Sequence, residues 1–326
     1  MATRRQFIGQ MSAFALAVSA SGFAAKEKSG ASTAHTAPDF PVPKGACDCQ
    51  VHCIGPRDKF PLVPDRAYTP DIAPVQDLKR HLQVLHLDRV VIVQPSFFGT
   101  DNSSTLYGIQ KLGKRARGVA VVPEKVKHSE LEALHRQGIR GVRLNVETGG
   151  TSDPEVLIRQ LTNTAETVAP LKWHVQIYTN LAMITALGNV IPTLPVPVVF
   201  DHFGLLKANK GLQQPGLPLL LDLMKSGKVY VKLSAQYRIS EQPGYADAGP
   251  FVEAMVSANP DRVLWGSDWP HTFPGPGKKR PGKGAVEHFW REDDGLALNR
   301  MARWVPQPDH LHKLLVDNPA RLYFFA

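Results

Sequence analysis

The sequence has few cysteines, and all three lie close together as Cys47, Cys49 and Cys53. An odd number of clustered cysteines argues against a framework of disulfides. A structural zinc site usually takes two separated pairs of ligands, and the chain has no second cysteine pair. We therefore expect these three side chains to be small buried residues on and just after a strand, rather than a metal cluster.

The sequence also lacks a concentrated patch of basic residues. Lysine and arginine number 38 against 29 aspartates and glutamates, which gives a net charge of +9, but only Lys278-Lys279-Arg280 forms a tight basic run. Proteins that bind nucleic acids concentrate such charge on one face or along one helix. We therefore expect a solvated basic surface and no nucleic-acid partner.

No hydrophobic run beyond the N-terminal segment is long enough to suggest a membrane span. The N-terminus carries a twin-arginine pattern at residues 3–8, with Arg4 and Arg5 followed by a weakly apolar stretch rich in alanine and serine. Small residues at positions 22–25 suit a signal peptidase. We expect residues 1–25 to be a twin-arginine signal peptide, which would direct the folded protein to the periplasm without a stable membrane anchor.

The rest of the chain divides into a short leader and one long domain. Residues 26–44 are rich in Ser, Thr, Ala, Lys and Pro and predict a flexible leader. Residues 45–326 show no break in composition, which predicts a single domain. Eight short apolar or β-branched runs recur within it as predicted strands: Ala46 to His52, Arg89 to Gln94, Gly118 to Val122, Gly141 to Val146, His174 to Tyr178, Val196 to His202, Val229 to Ser234 and Arg262 to Ser267.

Segments with helical spacing lie between these strands, and Gly138 and Gly227 stand where helices should end. Strands that alternate with helices predict either a closed parallel barrel or a doubly wound sheet. The count of eight strands, and the absence of a Gly-x-Gly-x-x-Gly turn after the first, favour an α/β fold of the (β/α)8 TIM-barrel type. Two long excursions, Ile54 to Pro74 and Pro270 to Pro306, are expected at its C-terminal mouth.

Polar residues occur at strand ends, where buried strands would otherwise remain apolar. Spacing by two predicts that Asp48, Gln50 and His52 share one face of the first strand. The remaining polar residues of this kind, in chain order, are Gln94, Arg143, Asn145, His174, Gln176, Tyr178, Asp201, His202, Lys232, Ser234, Asp268 and His271.

Several of these residues have an ordinary structural explanation. Gln94 alone can be a satisfied hydrogen-bonding group, and His174 begins its strand, at the bottom of the barrel. His52, His202 and Asp268 differ, because three groups of complementary chemistry converge at the mouth only if the barrel closes. We therefore predict that these three residues form a reaction centre.

At these residues the sequence resembles the amidohydrolase superfamily, specifically its amidohydrolase-2 branch of TIM-barrel hydrolases. The Trp-Gly-Ser-Asp-Trp-Pro-His segment at residues 265–271 is a highly specific part of the match. Within the branch the sequence is most similar to members that hydrolyse or isomerise lactones. The matching segments span the whole predicted domain and are residues 45–52, 141–143, 200–204, 262–271 and 317–323.

The resemblance also bears on metal binding. Most of the superfamily presents His-x-His from the first strand to a divalent metal, and here Gln50 replaces the first histidine. An amide is a poor substitute for imidazole in a zinc site. Similar lactone-acting members work without a metal, so the resemblance implies an enzyme with no metal and no cofactor. The alternative is a hydrolase or decarboxylase dependent on Zn or Mn, with the ligands Asp48, His52, His202 and Asp268.

The resemblance implies acyl chemistry on a cyclic ester. Asp268 would be the general base, acting on water in a hydrolase or on a substrate hydroxyl in an isomerase. The predicted hydrogen-bond donors to the developing oxyanion are Gln50, His52 and His202.

The expected substrate is a small anionic lactone or cyclic acid. Arg143 matches an arginine that binds a substrate carboxylate, a task that suits a planar guanidinium. Members that act on a pyrone lactone carry a second arginine beyond strand four. That position aligns near Gly149 in this sequence, which argues against the same dicarboxylate substrate. The other predicted substrate-binding residues are Tyr178, Arg238 and His271. A non-catalytic periplasmic binding protein for an organic acid remains an alternative, and the sequence predicts no oligomeric state.

Overall fold

The computed structural model describes residues 29–31, 36–149 and 153–326, so the predicted signal peptide lies outside the described residues. Within them, eight parallel strands form one sheet in which neighbours in the chain are neighbours in space. Helices cover the outer face and side chains fill the inner one, which explains why the strands are almost entirely buried. They are β1 (Cys47–Val51), β2 (Arg89–Val93), β3 (Ala116–Ala120), β4 (Ile139–Asn145), β5 (His174–Tyr178), β6 (Val198–Phe200), β7 (Val229–Ser234) and β8 (Val263–Gly266).

Helices alternate with these strands along the chain. Asp or Asn side chains cap the starts of three of them; Asp153, for example, accepts a hydrogen bond from the N–H of Glu155 at the start of α4. The helices are α1 (Val75–Val84), α2 (Ser103–Leu112), α3 (His128–Arg136), α4 (Pro154–Val168), α5 (Leu181–Leu187), α6 (Leu217–Lys225), α7 (Gly249–Ala258), α8 (Asp294–Trp304), α9 (Pro308–His312) and α10 (Asn318–Tyr323), the last two joined by a π-helical turn at Lys313–Asp317.

The residues that follow β8 close the sheet onto β1. The N–H of Asp268 donates to the carbonyl oxygen of Gln50 at 2.9 Å, and the N–H of His52 donates to the carbonyl oxygen of Trp269 at 2.8 Å. Val51 and Trp269 form a parallel bridge in the same region. The predicted (β/α)8 barrel is therefore confirmed, and the doubly wound sheet is excluded.

The prediction that Asp48 shares one face of the first strand with Gln50 and His52 is wrong. The register of β1 against β2 shifts between Asp48 and Val51, and this irregularity breaks the two-residue alternation of side chains. The carboxylate of Asp48 contacts His81 of α1, outside the barrel. The side chain of Gln50 contacts Lys232 of β7, inside the barrel. Asp48 is thus separated from the predicted reaction centre.

Both long excursions lie at the C-terminal mouth and contact each other. A parallel two-stranded ribbon pairs Thr69–Pro70 with Val286–Glu287. The second excursion ends earlier than predicted, because α8 already begins at Asp294. The side chain of Asp293 caps this helix by accepting hydrogen bonds from two backbone N–H groups of its first turn. The two excursions together form a cover over the mouth.

Part of the predicted leader lies against α8. The hydroxyl of Thr36 donates to Asp293 Oδ2 at 2.7 Å, and the N–H of Asp39 donates to Asn299 Oδ1 at 2.9 Å. The side chain of Asp39 also forms an ion pair with Arg303. These contacts anchor the described part of the leader, from residue 36 onward, to the barrel.

The cysteines are placed as expected. All three are free thiols and fully or almost fully buried, with Cys47 and Cys49 on β1 and Cys53 just after it. Burial raises the pKa of the Cys53 thiol to about 12, so the thiol remains protonated at neutral pH. In the part of the chain that is described, no helix combines the length and the apolar character needed to cross a membrane.

Candidate active site

Three side chains from different strands meet at the mouth of the barrel. His52 follows β1, His202 follows β6 and Asp268 follows β8. Asp268 Oδ1 lies 3.8 Å from His52 Nε2 and 3.6 Å from His202 Nε2. All three side chains are buried. The structure thus brings together the residues that the sequence predicts as a reaction centre, because closure of the barrel places β1 and β8 side by side.

The two carboxylate oxygens of Asp268 have different surroundings. Oδ2 accepts hydrogen bonds from the Tyr237 hydroxyl at 2.6 Å and from Nε and Nη2 of Arg238 at 3.0 and 2.7 Å. Oδ1 has no hydrogen-bond partner among the described residues. Burial acts to raise the pKa of Asp268, but Arg238 and the two histidines outweigh it and lower the pKa well below its ordinary value. Asp268 is therefore an anchored carboxylate with one free oxygen.

The hydrogen bond of His52 defines its tautomer. Nδ1 lies 2.7 Å from the carbonyl oxygen of Val93, which can only accept, so Nδ1 carries a hydrogen. Burial lowers the pKa of His52 to about 4, so the ring is neutral at neutral pH. Nε2 is then an unprotonated acceptor that faces Asp268. The predicted role of His52 as an oxyanion donor does not fit this neutral form.

His202 has a different partner and therefore different possibilities. Its Nδ1 lies 2.8 Å from Ser234 Oγ, and a hydroxyl can donate as well as accept. When Ser234 donates, Nε2 of His202 carries the hydrogen and can donate into the mouth. Burial lowers the pKa of His202 to about 4. The edge of the imidazole packs against Tyr178, with ring centroids 5.4 Å apart. The two histidines are thus not equivalent.

Gln50 belongs to a polar network beneath the mouth. Its Oε1 accepts from Lys232 Nζ at 2.7 Å and from Gln176 Nε2 at 3.2 Å. Gln176 in turn donates to Asp201 Oδ1 at 2.7 Å. Burial lowers the pKa of Lys232 to about 8, although Asp201 opposes that shift. Gln50 Nε2 is buried and has no hydrogen-bond partner in the described part of the chain. A small cleft opens at the mouth, and its lining includes His52, Arg143, His202, Arg238 and Asp268 but not Gln50.

Three arginines line the cleft above this network, and the sequence predicted two of them. Arg143 donates through Nε and Nη2 to Asp201 Oδ2 at 3.2 and 2.9 Å, so part of its hydrogen-bonding capacity is already used inside the barrel. Arg238 donates to Asp268 and, through Nη1, to the Tyr178 hydroxyl at 3.3 Å. Arg280 is the third. The cleft therefore presents three guanidinium groups, each of which also pairs with a carboxylate of the protein.

Arg280 and Tyr237 are site residues that sequence reasoning missed. Arg280 comes from the excursion after β8, forms an ion pair with Glu287 and lies with its guanidinium carbon 3.8 Å from the ring centroid of Tyr68. Nothing in an aperiodic excursion indicates which of its basic residues turns inward. Tyr237 could have been found, because it precedes Arg238 just after a predicted strand.

The structure does not bring His271 to the cleft. It is completely buried, and its Nε2 lies 3.0 Å from Asp294 Oδ1 of α8. Burial acts to lower the pKa of His271, but Asp294 outweighs it and the pKa is raised. His81 connects the same aspartate to Asp48, with ring nitrogens 3.5 Å from Asp294 Oδ2 and 3.3 Å from Asp48 Oδ2. His271 thus belongs to a buried chain of acids and imidazoles that supports the segment after β8.

The donor set for a metal is incomplete. Among the described residues, no group of three or more His, Cys, Asp or Glu side chains is arranged to hold a metal ion. Asp48 cannot join the alternative ligand set, because its carboxylate is bonded to Ser267 and His81 instead. Gln50, at the position where the resemblance implies the first metal-binding histidine of the superfamily, directs its amide oxygen to Lys232. These residues do not fit the metal centre typical of the superfamily.

Comparison with known proteins gives relatives along nearly the whole chain. The chain is 36% identical over 298 residues to 2-pyrone-4,6-dicarboxylate hydrolase from Comamonas testosteroni, covering 88% of this chain and 92% of that protein. It is 35% identical over 295 residues to 4-sulfomuconolactone hydrolase from Rhizobium radiobacter, covering 89% and 94%. D-galactarolactone isomerase from Agrobacterium fabrum is 27% identical over 294 residues, covering 88% and 94%.

A solved structure and a family model agree with these relatives. The crystal structure of a probable 2-pyrone-4,6-dicarboxylic acid hydrolase from Acinetobacter baumannii, with citric acid bound, superposes with a TM-score of 0.70 at 26% identity, covering 86% of this chain and 100% of that one. The model of the Amidohydrolase family Amidohydro_2 matches residues 47–325. The chain therefore belongs to the amidohydrolase family, as its resemblance to the amidohydrolase-2 branch predicts.

Proposed function

We propose that the protein hydrolyses a lactone of an organic or sugar acid without a metal ion, with Asp268 as the general base. The observation that carries this proposal is the asymmetry of that carboxylate. One oxygen is anchored by Tyr237 and Arg238, and the other faces the Nε2 atoms of His52 and His202 without a partner of its own. The relatives named for lactone hydrolysis support the same reaction class.

The attacking group would be a water molecule held beside Asp268 Oδ1 and against the two imidazoles. Separations of 3.8 and 3.6 Å from Asp268 Oδ1 to the two imidazoles are too long for direct hydrogen bonds and suit a bridging water. Such a water donates one hydrogen to Asp268 Oδ1 and the other to the unprotonated Nε2 of His52. Its lone pair is then free to attack the lactone carbonyl carbon. Orienting the water replaces the donor role predicted for His52.

The two histidines would thus have different roles: His52 orients the water, and His202 stabilises the oxyanion. His202, with Ser234 donating to Nδ1, donates from Nε2 to the carbonyl oxygen as negative charge develops there. Asp268 Oδ1 accepts the proton of the water. When the ring C–O bond breaks, the same proton passes to the departing alkoxide, which gives a hydroxy acid. Gln50 Nε2 is also without a partner among the described residues, but Gln50 does not line the cleft, so its predicted donor role requires the substrate to reach below the present lining.

Anionic substrate binding would make Asp268 a stronger base. Arg238 is the main favourable charge that lowers the pKa of Asp268. A substrate carboxylate that shares Arg238 weakens its hold on Asp268, so the pKa of Asp268 rises as the substrate enters. Arg143 and Arg280 add further positive charge to the cleft lining. We therefore propose a substrate with at least one acidic group, bound by Arg143, Arg238 and Tyr178.

Isomerisation is the second candidate, and the similarity to D-galactarolactone isomerase favours it. In that case Asp268 takes its proton from a substrate hydroxyl instead of water. A panel of sugar-acid lactones and pyrone carboxylates, followed by acid release and by NMR, separates the two reactions. Hydrolysis releases a proton and gives an open-chain acid, whereas isomerisation gives a second lactone. A folded protein that turns over none of these compounds, but binds them, would instead be a binding protein.

A further inference from the structure

The catalytic cleft has a much larger neighbour. Its own free volume is only about 20 Å³, whereas a cavity beside it measures about 440 Å³. Ligand pockets usually have about 300–1,000 Å³, so the neighbour has the size of a binding site. We call it the side cavity; its lining includes Lys207, Tyr237, Arg238, Ile239, Phe273 and Lys278. Arg238 lines both spaces.

The floor of the side cavity is buried and well anchored. Tyr237, Arg238 and Ile239 are each 9% exposed or less. Phe273 forms one wall, with its ring centroid 5.1 Å from the guanidinium carbon of Arg238 and 5.3 Å from that of the Tyr237 ring. Trp290 supports this wall from behind, 5.9 Å from Phe273 between centroids. A planar apolar group can therefore pack against a preformed aromatic surface.

The rim of the side cavity carries two lysines without an ion-pair partner among the described residues. Lys207 and Lys278 are exposed, and neither forms an ion pair with another described residue. The lining also contains the carboxylates of Glu241 and Asp247, and Asp247 accepts a hydrogen bond from Ser240. Because neither lysine is held in an ion pair, the two ammonium groups can bind the anionic end of a ligand whose apolar ring packs against Phe273.

We propose that the side cavity is a second subsite that binds an aromatic or alicyclic carboxylate. Arg238 is the wall between the two spaces, so a molecule with its lactone beside Asp268 can extend past this arginine into the side cavity. The natural substrate would then carry an acidic ring substituent on its lactone. The inference that the natural substrate carries this substituent rests on the proposed function. The inference that the side cavity binds a ring carboxylate does not.

Binding of benzoate, measured by NMR titration of the full-length protein, tests the subsite directly. We expect benzoate to bind more tightly than benzyl alcohol, which has the same ring without the charge. The double variant Lys207→Met and Lys278→Met should weaken benzoate binding by about tenfold, because charge-assisted contacts of this kind contribute about one order of magnitude or more. Lys279→Met, an exposed neighbour outside the cavity lining, is the matched control and should bind like the wild type.

Two further variants locate the ligand. Phe273→Ala should weaken binding of benzoate and of benzyl alcohol alike, because it removes the aromatic wall. Arg143→Met changes only the catalytic cleft and should leave benzoate binding intact. Benzoate affinity that falls in Arg143→Met and is unchanged in the double lysine variant would place the anion in the cleft and overturn the subsite. Equal affinity for benzoate and benzyl alcohol would do the same.

Kinetics distinguish failure of the subsite from failure of the proposed function. With a lactone that bears a carboxyphenyl substituent, the double lysine variant should raise KM with little change in kcat. With the unsubstituted lactone, its KM should remain that of the wild type. Turnover of both lactones with identical KM in wild type and variant would refute the subsite alone. Absence of any lactone turnover would refute the proposed function and leave the benzoate titration to decide on the subsite.

Discussion

The backbone N–H of Asp268 donates to the carbonyl oxygen of Gln50 at 2.9 Å, so one hydrogen bond both closes the barrel and positions the proposed general base. Asp268 has a φ of +68°, in the left-handed region that a non-glycine residue seldom adopts. The chain turns sharply at this point, and the carboxylate is directed at the two histidines instead of continuing the strand. Fold closure and the geometry of the site therefore depend on the same residue.

Asp268→Asn tests the general base. The amide retains the shape of the carboxylate but cannot take the proton from water, so we expect kcat to fall by about 10² to 10⁴. Tyr237→Phe is a useful control, because it removes one hydrogen bond to Oδ2 and leaves the carboxylate in place; its loss should be much smaller. Thermal unfolding establishes that each variant is folded. An unchanged kcat in folded Asp268→Asn would remove Asp268 from the mechanism.

Chelation tests the absence of a metal. By its resemblance to the superfamily, the chain has Gln50 at the position expected for a metal-binding histidine, and the amide oxygen of Gln50 is bonded to Lys232. We expect full activity after exhaustive treatment with a chelator, and less than stoichiometric metal in the purified protein by elemental analysis. Activity that disappears on chelation and returns with added Zn or Mn would replace the proposed mechanism with a metal-dependent one.

Arg143→Met tests recognition of an anionic substrate. The change should remove a charge-assisted hydrogen bond to the substrate, worth roughly 1.5 to 3 kcal/mol, and should raise KM for charged lactones more than for neutral ones. The competing explanation is that Arg143 only neutralises Asp201, to which it donates two hydrogen bonds. In that case kcat/KM should fall equally for charged and neutral lactones.

Acid should destabilise the protein over a defined range. The pKa of His52 and of His202 is about 4 in the folded state, against an ordinary value of 6.5 that applies once they are exposed. Between these values the unfolded state binds more protons, so the free energy of unfolding should decrease as the pH falls from about 6.5 to 4. Each histidine contributes on the order of 3 kcal/mol to this loss.

Urea unfolding at pH 7 and near pH 4.5 measures the effect. His174, whose pKa burial lowers to about 3, should contribute in the same way from the bottom of the barrel. His174→Phe keeps a buried ring against Tyr323 but cannot take up a proton. The variant should lose less stability than the wild type between the two pH values. An identical loss would show that His174 is already solvated or charged in the folded state.

Export tests the proposed localisation. Arg4 and Arg5 precede a weakly apolar segment typical of twin-arginine signal peptides. Changing both to lysine should trap the precursor inside the cell, as followed by immunoblotting of periplasmic and cytoplasmic fractions. An unchanged periplasmic yield of the double variant would contradict this route.

The frame of the site could be predicted because it follows from chain-wide patterns. Alternating strands and helices indicate the barrel, and a closed barrel brings the ends of β1, β6 and β8 to one mouth. The positions of His52, His202 and Asp268 follow from this alone. Even the third strand, predicted two residues later than Ala116–Ala120, is displaced without consequence for the mouth.

The details that decide chemistry could not be predicted in this way. The register shift in β1 directs the side chain of Asp48 outward, and no feature of the sequence predicts this shift. The tautomer of His52 depends on a carbonyl oxygen of β2, a contact between distant parts of the chain. The sequence predicts His271 as a substrate-binding residue, but a left-handed backbone at His271 directs its side chain to α8 instead. Local pattern does not encode such tertiary contacts.

The ribbon between Thr69–Pro70 and Val286–Glu287 links the two long excursions, which follow the first and the last strand of the barrel, through backbone hydrogen bonds. Thr69 and Asp71 add side-chain hydrogen bonds to Lys283 and His288 on the other loop. Engineering that transplants one of these loops from a relative would leave the other with unpaired backbone groups at its edge. Chimeras intended to alter substrate preference should therefore exchange both loops together, as a single cassette.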